Sequence, residues 1–171
     1  HRRYYIINAH YMLFKIYKTN NDSAAQVHFD KVVEYFGRLQ SSSYQEQKII
    51  TVRLYFYWEQ GLKREEILTR RLMCERLSGE DMLPVNRAAF IGMLAKVAYQ
   101  SGRYQEIAKY FTRKCLSSDC DNLLKMEDWI TKVKSSVITR DLHSYCKTVA
   151  RVRKDHPDAI TEIAGFLRLR R

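Results

Sequence analysis

Apolar side chains recur at steps of three and four residues along nearly the whole chain, the spacing that gathers one face of an α-helix. Tyr4, Ile7, Tyr11, Phe14 and Lys18 trace the first such face, and Met12, Leu13 and Ile16 widen it, predicting a helix over 4–18. Thr19-Asn20-Asn21-Asp22 interrupts the pattern. Asn tolerates a left-handed cap, and Asp22 or Ser23 suits the start of the next helix. That helix is expected from about Ala24 to Leu39, with Ala25, Phe29, Val32, Phe36 and Leu39 as its seam and 40–43 as a loop. The run Ile49 to Trp58 has the β-branched and aromatic composition that strands favour. Its long Gln-, Glu- and Lys-containing flanks, and the lack of a partner strand nearby, favour a helix over 44–60 ended by Gly61. A fourth helix is expected over 64–77, with a narrow stripe of Ile67, Leu68, Arg71, Leu72 and Glu75, followed by a turn at 78–81.

The stretch from Leu83 to Cys115 reads as two helices joined by Ser-Gly-Arg-Tyr. Pro84 suits a first helical turn, where its missing N–H has no partner to lose. Ala88, Ala95 and Ala98 are small enough for another helix to come close, and Gly102 takes the left-handed conformation at little cost. Tyr104, Ile107, Ala108 and Phe111 then share a face. Beyond a break at 117–121, Leu123, Met126, Ile130, Val133 and Val137 predict a seventh helix. Leu142, Tyr145, Val149 and Val152 predict an eighth, and Ile160, Ile163, Ala164 and Leu167 a last one over 158–169, opened by Pro157.

The turns repeat. Asn20, Gly61 and Gly102 are 41 residues apart, and Arg140 follows 38 later, a period that belongs to arrays of paired helices. The expected fold is therefore all-α: an α-α superhelix of about four helical hairpins plus a C-terminal capping helix, forming one domain over 1–171. Residues 88–115 resemble a tetratricopeptide repeat. Leu94-Ala95 stand where that pattern has Leu and a small residue in mid-helix, Gly102 and Tyr104 mark its turn, and Phe111 follows seven residues after Tyr104. Ile107 and Lys114 occupy positions where the pattern has small residues, and the period is longer than the usual 34 or so. The resemblance implies a helical superhelix acting as a binding module for peptides or proteins, with Gly61, Leu94, Ala95, Gly102, Tyr104 and Phe111 as structural positions.

Composition narrows this reading. Two Pro and six Gly among 171 residues disfavour a turn-rich β fold, and no apolar run reaches the roughly 18–20 residues that cross a bilayer. No membrane partner and no signal peptide are expected, and a chain that opens with His is expected to be a fragment or processed product. The net charge is +11 and uneven: residues 132–171 carry ten basic and four acidic side chains, residues 41–131 fourteen and twelve. An acidic partner is therefore expected at Lys147, Arg151, Arg153, Lys154, Arg168 and Arg170, with Lys147, Arg151 and Lys154 on one helical face.

Catalytic and metal motifs are missing. The chain has no Gly-rich phosphate loop, no Gly-x-Ser-x-Gly and no His-Glu-x-x-His, and its five His are scattered. Cys74, Cys115, Cys120 and Cys146 form no Cys-x-x-Cys. His143 with Cys146 is one pair where structural zinc needs four ligands. Reduced thiols, a cytoplasmic setting, and neither metal nor cofactor are expected. The expected role is a non-catalytic protein- or peptide-binding or self-association module of a larger bacterial regulatory protein. Nucleic-acid binding through the basic C-terminal end is the alternative.

Overall fold

The computed structural model describes residues 2–38, 44–79, 82–112, 115, 116 and 118–169. Ten helices and no strand occur among them: α1 (Arg2–Thr19), α2 (Ala24–Gly37), α3 (Tyr44–Glu59), α4 (Lys63–Leu77), α5 (Pro84–Gln100), α6 (Tyr104–Tyr110), α7 (Ser118–Asp121), α8 (Met126–Ile138), α9 (Leu142–Asp155) and α10 (Ala159–Arg168). The fold is all-α, and the β-branched run 49–58 lies wholly within α3. Ile49, Ile50, Leu54, Phe56 and Tyr57 are all buried there. Burial on more than one side of the helix accounts for a composition that local preference alone assigns to a strand.

The chain gathers into two compact units, His1–Arg53 and Leu54–Arg171. In the first, α1 and α2 are antiparallel neighbours whose contact is built from Ile7, Tyr11, Phe14, Val32 and Phe36. His10 and His28 share a hydrogen bond between their Nδ1 atoms at 2.8 Å, with Tyr17 stacked on His28 and Tyr35 on His10. Burial and the neighbouring His28 hold His10 below the usual imidazole range. The expected face of α1 is corrected in one respect: Met12, Leu13 and Ile16 are exposed rather than part of the core.

Four turns of one design end α1, α3, α5 and α8. Their left-handed residues are Asn21, Gly61, Gly102 and Arg140, spaced 40, 41 and 38 apart. In each, the left-handed residue's N–H bonds to the carbonyl three residues back, and the next N–H bonds to the carbonyl five residues back: Asp22 to Tyr17, Leu62 to Tyr57, Arg103 to Ala98 and Asp141 to Ser136, at 2.8–2.9 Å. This is the Schellman closure, which satisfies carbonyls that a helix end leaves open. The first turn centres on Asn21, not Asn20. The two turns without glycine are each followed by Asp, which caps the next helix: Asp22 accepts from Ala24 N–H, and Asp141 from Ser144 N–H.

In the second unit α5 is the central helix, and it touches α4, α6, α7 and α8. Phe90, Ile91, Leu94, Ala95, Val97 and Ala98 are all buried. Gly92 is the point of closest approach: a Cβ there would stand 2.6 Å from Oδ1 of Asp128. That carboxylate also accepts the Lys125 N–H at 2.9 Å, closing the first turn of α8. Burial lifts its pKa against the pull of that hydrogen bond. Arg87, also buried, donates to the carbonyls of Leu77 and Gly79 at 2.6 Å and of Cys115 at 3.2 Å, so it holds the end of α4 and the chain beyond α6 together. α10 lies on α8 and α9, as a capping helix is expected to.

Other boundaries differ from expectation. α6 stops at Tyr110 rather than near Cys115, where the Thr112 hydroxyl bonds the Lys109 carbonyl and competes with the helical ladder. A short α7 precedes α8, and Leu124 rather than Leu123 is buried. On α4 the core face is Glu66, Thr69, Met73 and Leu77, so the predicted stripe is rotated by about one position and Ile67 and Leu68 are exposed. Leu39, Glu80, Asp81 and Lys114 lie outside the described residues.

Two measurements test this reading of the backbone. Gly102→Val is expected to lower stability by about 1–2 kcal/mol, whereas Arg140→Gly, which relieves a left-handed non-glycine residue, raises it by about 0.5–1 kcal/mol; urea unfolding with an unchanged Arg140→Gly midpoint would refute strain at that turn. Gly92→Ala is expected to cost about 1–3 kcal/mol by forcing the Asp128 carboxylate aside. The cost should shrink in an Asp128→Ala background, and equal costs in both backgrounds would exclude the clash as its cause.

Candidate groove between α4 and α6

The face that α4 turns outward forms one side of a concave surface in the second unit. Glu66, Ile67, Arg70, Arg71 and Cys74 face one side, and Arg103, Glu106, Lys109 and Tyr110 face the other. Glu66 is buried although it is a carboxylate, and its partners explain why it is tolerated. Arg103 Nη2 reaches Glu66 Oε1 at 3.0 Å, and Arg70 Nε approaches the same oxygen at 3.7 Å. Arg70 Nη1 donates to Glu106 Oε2 at 2.8 Å, Arg103 Nε lies 3.6 Å from that oxygen, and the Tyr110 hydroxyl donates to it at 3.1 Å. The four side chains thus form a closed ring of alternating charge. A carboxylate left unpaired in such a position would carry a penalty of several kcal/mol. Burial pulls the Arg70 pKa down, but Glu106 and Glu66 outweigh it and raise it overall. Burial, with Cys74 and Glu106 nearby, lifts the Tyr110 phenol well above its ordinary value.

The ring divides the groove into two hollows. One, of about 310 Å³, is bounded by Tyr57, Trp58, Lys63, Ser101 and Arg103, and the indole N–H of Trp58 donates to Ser101 Oγ at 2.8 Å. The other, of about 490 Å³, is bounded by Arg71, Cys74, Leu77, Lys109, Tyr110 and Cys115. Ile67 and Arg70 line both. Five cations border the groove against two carboxylates, and both carboxylates are held in the ring. Lys63, Arg71 and Lys109 are exposed and make no ion pair among the described residues. An apolar floor beneath uncompensated positive charge can accept a segment that carries carboxylates beside apolar side chains.

The predicted basic residues fare differently from one another. Arg151 is tied inward: it pairs with Asp121, donates to Asp155 at 2.8 Å and to Asn122 at 3.3 Å, and lies 5.3 Å above the Trp129 ring. Lys147, Arg153, Lys154 and Arg168 are exposed. Arg170 lies outside the described residues. Lys132 is held over Phe111 and Trp129, and burial together with the nearby Lys147 lowers its pKa. Rings and cations do meet here, but Trp129 is buried and its face is already covered. Gly61 and Gly102 take positive φ, Leu94, Ala95 and Phe111 are buried, and Tyr104 is half-buried and edge-on to Tyr99.

The four cysteines are free thiols. Burial raises the Cys74 pKa and takes that of Cys120 to about 11, while Cys146 is exposed. Among the described residues no three His, Cys, Asp or Glu side chains stand close enough to hold a metal ion, and no helix is long and apolar enough to cross a membrane. Comparison of the chain with protein-family models, with curated proteins and with solved structures finds no match.

Because Arg151 links α9 to α7, Arg151→Glu is expected to lower stability by about 1 kcal/mol or more, whereas Lys154→Glu changes it by less than about 0.5 kcal/mol. Thermal unfolding of the two variants separates a structural arginine from a surface lysine, and equal shifts would contradict the assignment.

Proposed function

We propose that this chain is a non-catalytic protein- or peptide-binding module, part of a larger regulatory protein, whose groove between α4 and α6 takes a segment bearing acidic and apolar side chains. The observation that carries the proposal is the excess of positive charge over an apolar floor: Lys63, Arg71 and Lys109 surround Ile67, which is about half exposed. Apolar contact with Ile67 supplies affinity that salt does not screen, and the cations orient the ligand. The tetratricopeptide-like pattern of 88–115 agrees with a binding role. The alternative, phosphate contacts from nucleic acid, has the exposed Lys147, Arg153 and Lys154 in its favour. The Trp129 ring offers it no open stacking face, because that ring is buried under Arg151 and Lys132.

Selection of random dodecapeptides on the whole chain tests the proposal. Enriched sequences are expected to combine Asp or Glu with Leu, Ile or Phe. Their affinity should fall about tenfold, or about 1.4 kcal/mol, with Arg71→Glu plus Lys109→Glu, and should change little with Lys147→Glu plus Lys154→Glu. Raising salt from about 50 to 200 mM should weaken binding only a few-fold. Tight binding of a single-stranded oligonucleotide that falls by orders of magnitude over that range, and that depends on Lys147 and Lys154, would favour the alternative.

A further inference from the structure

The first unit carries an apolar surface that the groove does not explain. Tyr5, Ala9, Met12 and Ile16 follow one another along α1 at steps of four, three and four residues. All four are exposed, with Tyr5 at 64%, Met12 at 57% and Ile16 at 51%, and Leu13 lies alongside. At 100° per residue this stripe is diametrically opposite Ile7, Tyr11 and Phe14, which pack in the core of the unit. Steps of four, three and four are the spacing by which one helix receives the side chains of another. Exposed apolar side chains scattered singly need no explanation, but four aligned over three turns form a contiguous strip.

The charge of the same helix identifies the occupant. α1 carries Arg2, Arg3, Lys15 and Lys18 and no carboxylate. A second copy laid against it, parallel or antiparallel, would bring cation toward cation, and charges flanking a seam decide which helices pair. An anionic bilayer fits the sign but not the form. The helix opposite the stripe is covered by protein rather than water, and the exposed strip is narrower than the broad apolar face of an interfacial helix. We infer that the outer face of α1 docks an amphipathic helix of acidic character, with its apolar residues on Tyr5, Met12 and Ile16 and its carboxylates toward Arg2 and Lys15.

The probe is a fluorescein-labelled peptide of three heptads with Leu at a and d and Glu at e and g, titrated with the full chain and followed by anisotropy. Saturable binding is expected. It should be weakened at least tenfold by Met12→Glu plus Ile16→Glu, and at least tenfold by replacing the peptide's Glu with Lys. Circular dichroism and the melting temperature confirm that the double variant is folded, and Tyr5→Ser offers a milder second test in the same direction. Equal affinity for the Glu and Lys peptides overturns the proposal. So does a wild-type dimer in sedimentation that Met12→Glu plus Ile16→Glu disperses, which would make the occupant a second copy. Flotation with phosphatidylserine-containing vesicles, lost in the same variant, overturns it in favour of a membrane surface.

Discussion

The second unit depends on how closely α8 can approach α5, and Gly92 sets that distance. The carboxylate of Asp128 fills the volume where any other residue would put its side chain. The same carboxylate closes the first turn of α8, so one contact fixes both the separation of the two helices and the point at which the second begins. Phe111 and Trp129 then meet at 5.5 Å between ring centres, and Arg151 and Lys132 settle over the indole. An aromatic ring beneath two cations is attractive through its negative face. Two of the ten cations that the sequence concentrates in residues 132–171 are thereby turned to internal use.

The groove follows from a carboxylate on the inner face of α4. Glu66 takes a core position because Arg103 and Arg70 neutralise it, and that choice rotates the helix so that Ile67 and Leu68 face outward. A hydrophobic residue at 66 would remove the need for the ring, and would also remove what joins the two sides of the groove midway. Buried ion pairs seldom add net stability over well-packed apolar side chains. Their contribution here is to geometry: the ring fixes which face of α4 is turned outward.

Most of the helices were legible in the sequence because spacing alone defines them. The left-handed turns were legible because glycine and asparagine mark them, and Arg140 was found through the period rather than its chemistry. The faces were less legible. Met12, Leu13 and Ile16 are as apolar as Ile7 and Phe14, and nothing local separates a side chain that meets α2 from one that meets nothing. The stripe chosen for α4 failed for the converse reason, since a charged residue such as Glu66 is not counted as core until its partner Arg103, 37 residues away, is known. The groove's cations were passed over because residues 41–131 are nearly neutral in sum, and a sum hides which charges are paired. The pairs Glu66 with Arg70 and Arg103 with Glu106, at helical spacings of four and three, were the available signal.

Arg87 has a different bearing on the groove from the ring that crosses it. Its partners are backbone carbonyl oxygens of Leu77, Gly79 and Cys115, which no substitution of those residues' side chains removes. Loss of either carboxylate, Glu66 or Glu106, would therefore open the tie across the middle of the groove and leave the one at its end intact. The two walls would be hinged rather than separated: they part along the ring while Leu77 and Cys115 stay where the guanidinium holds them.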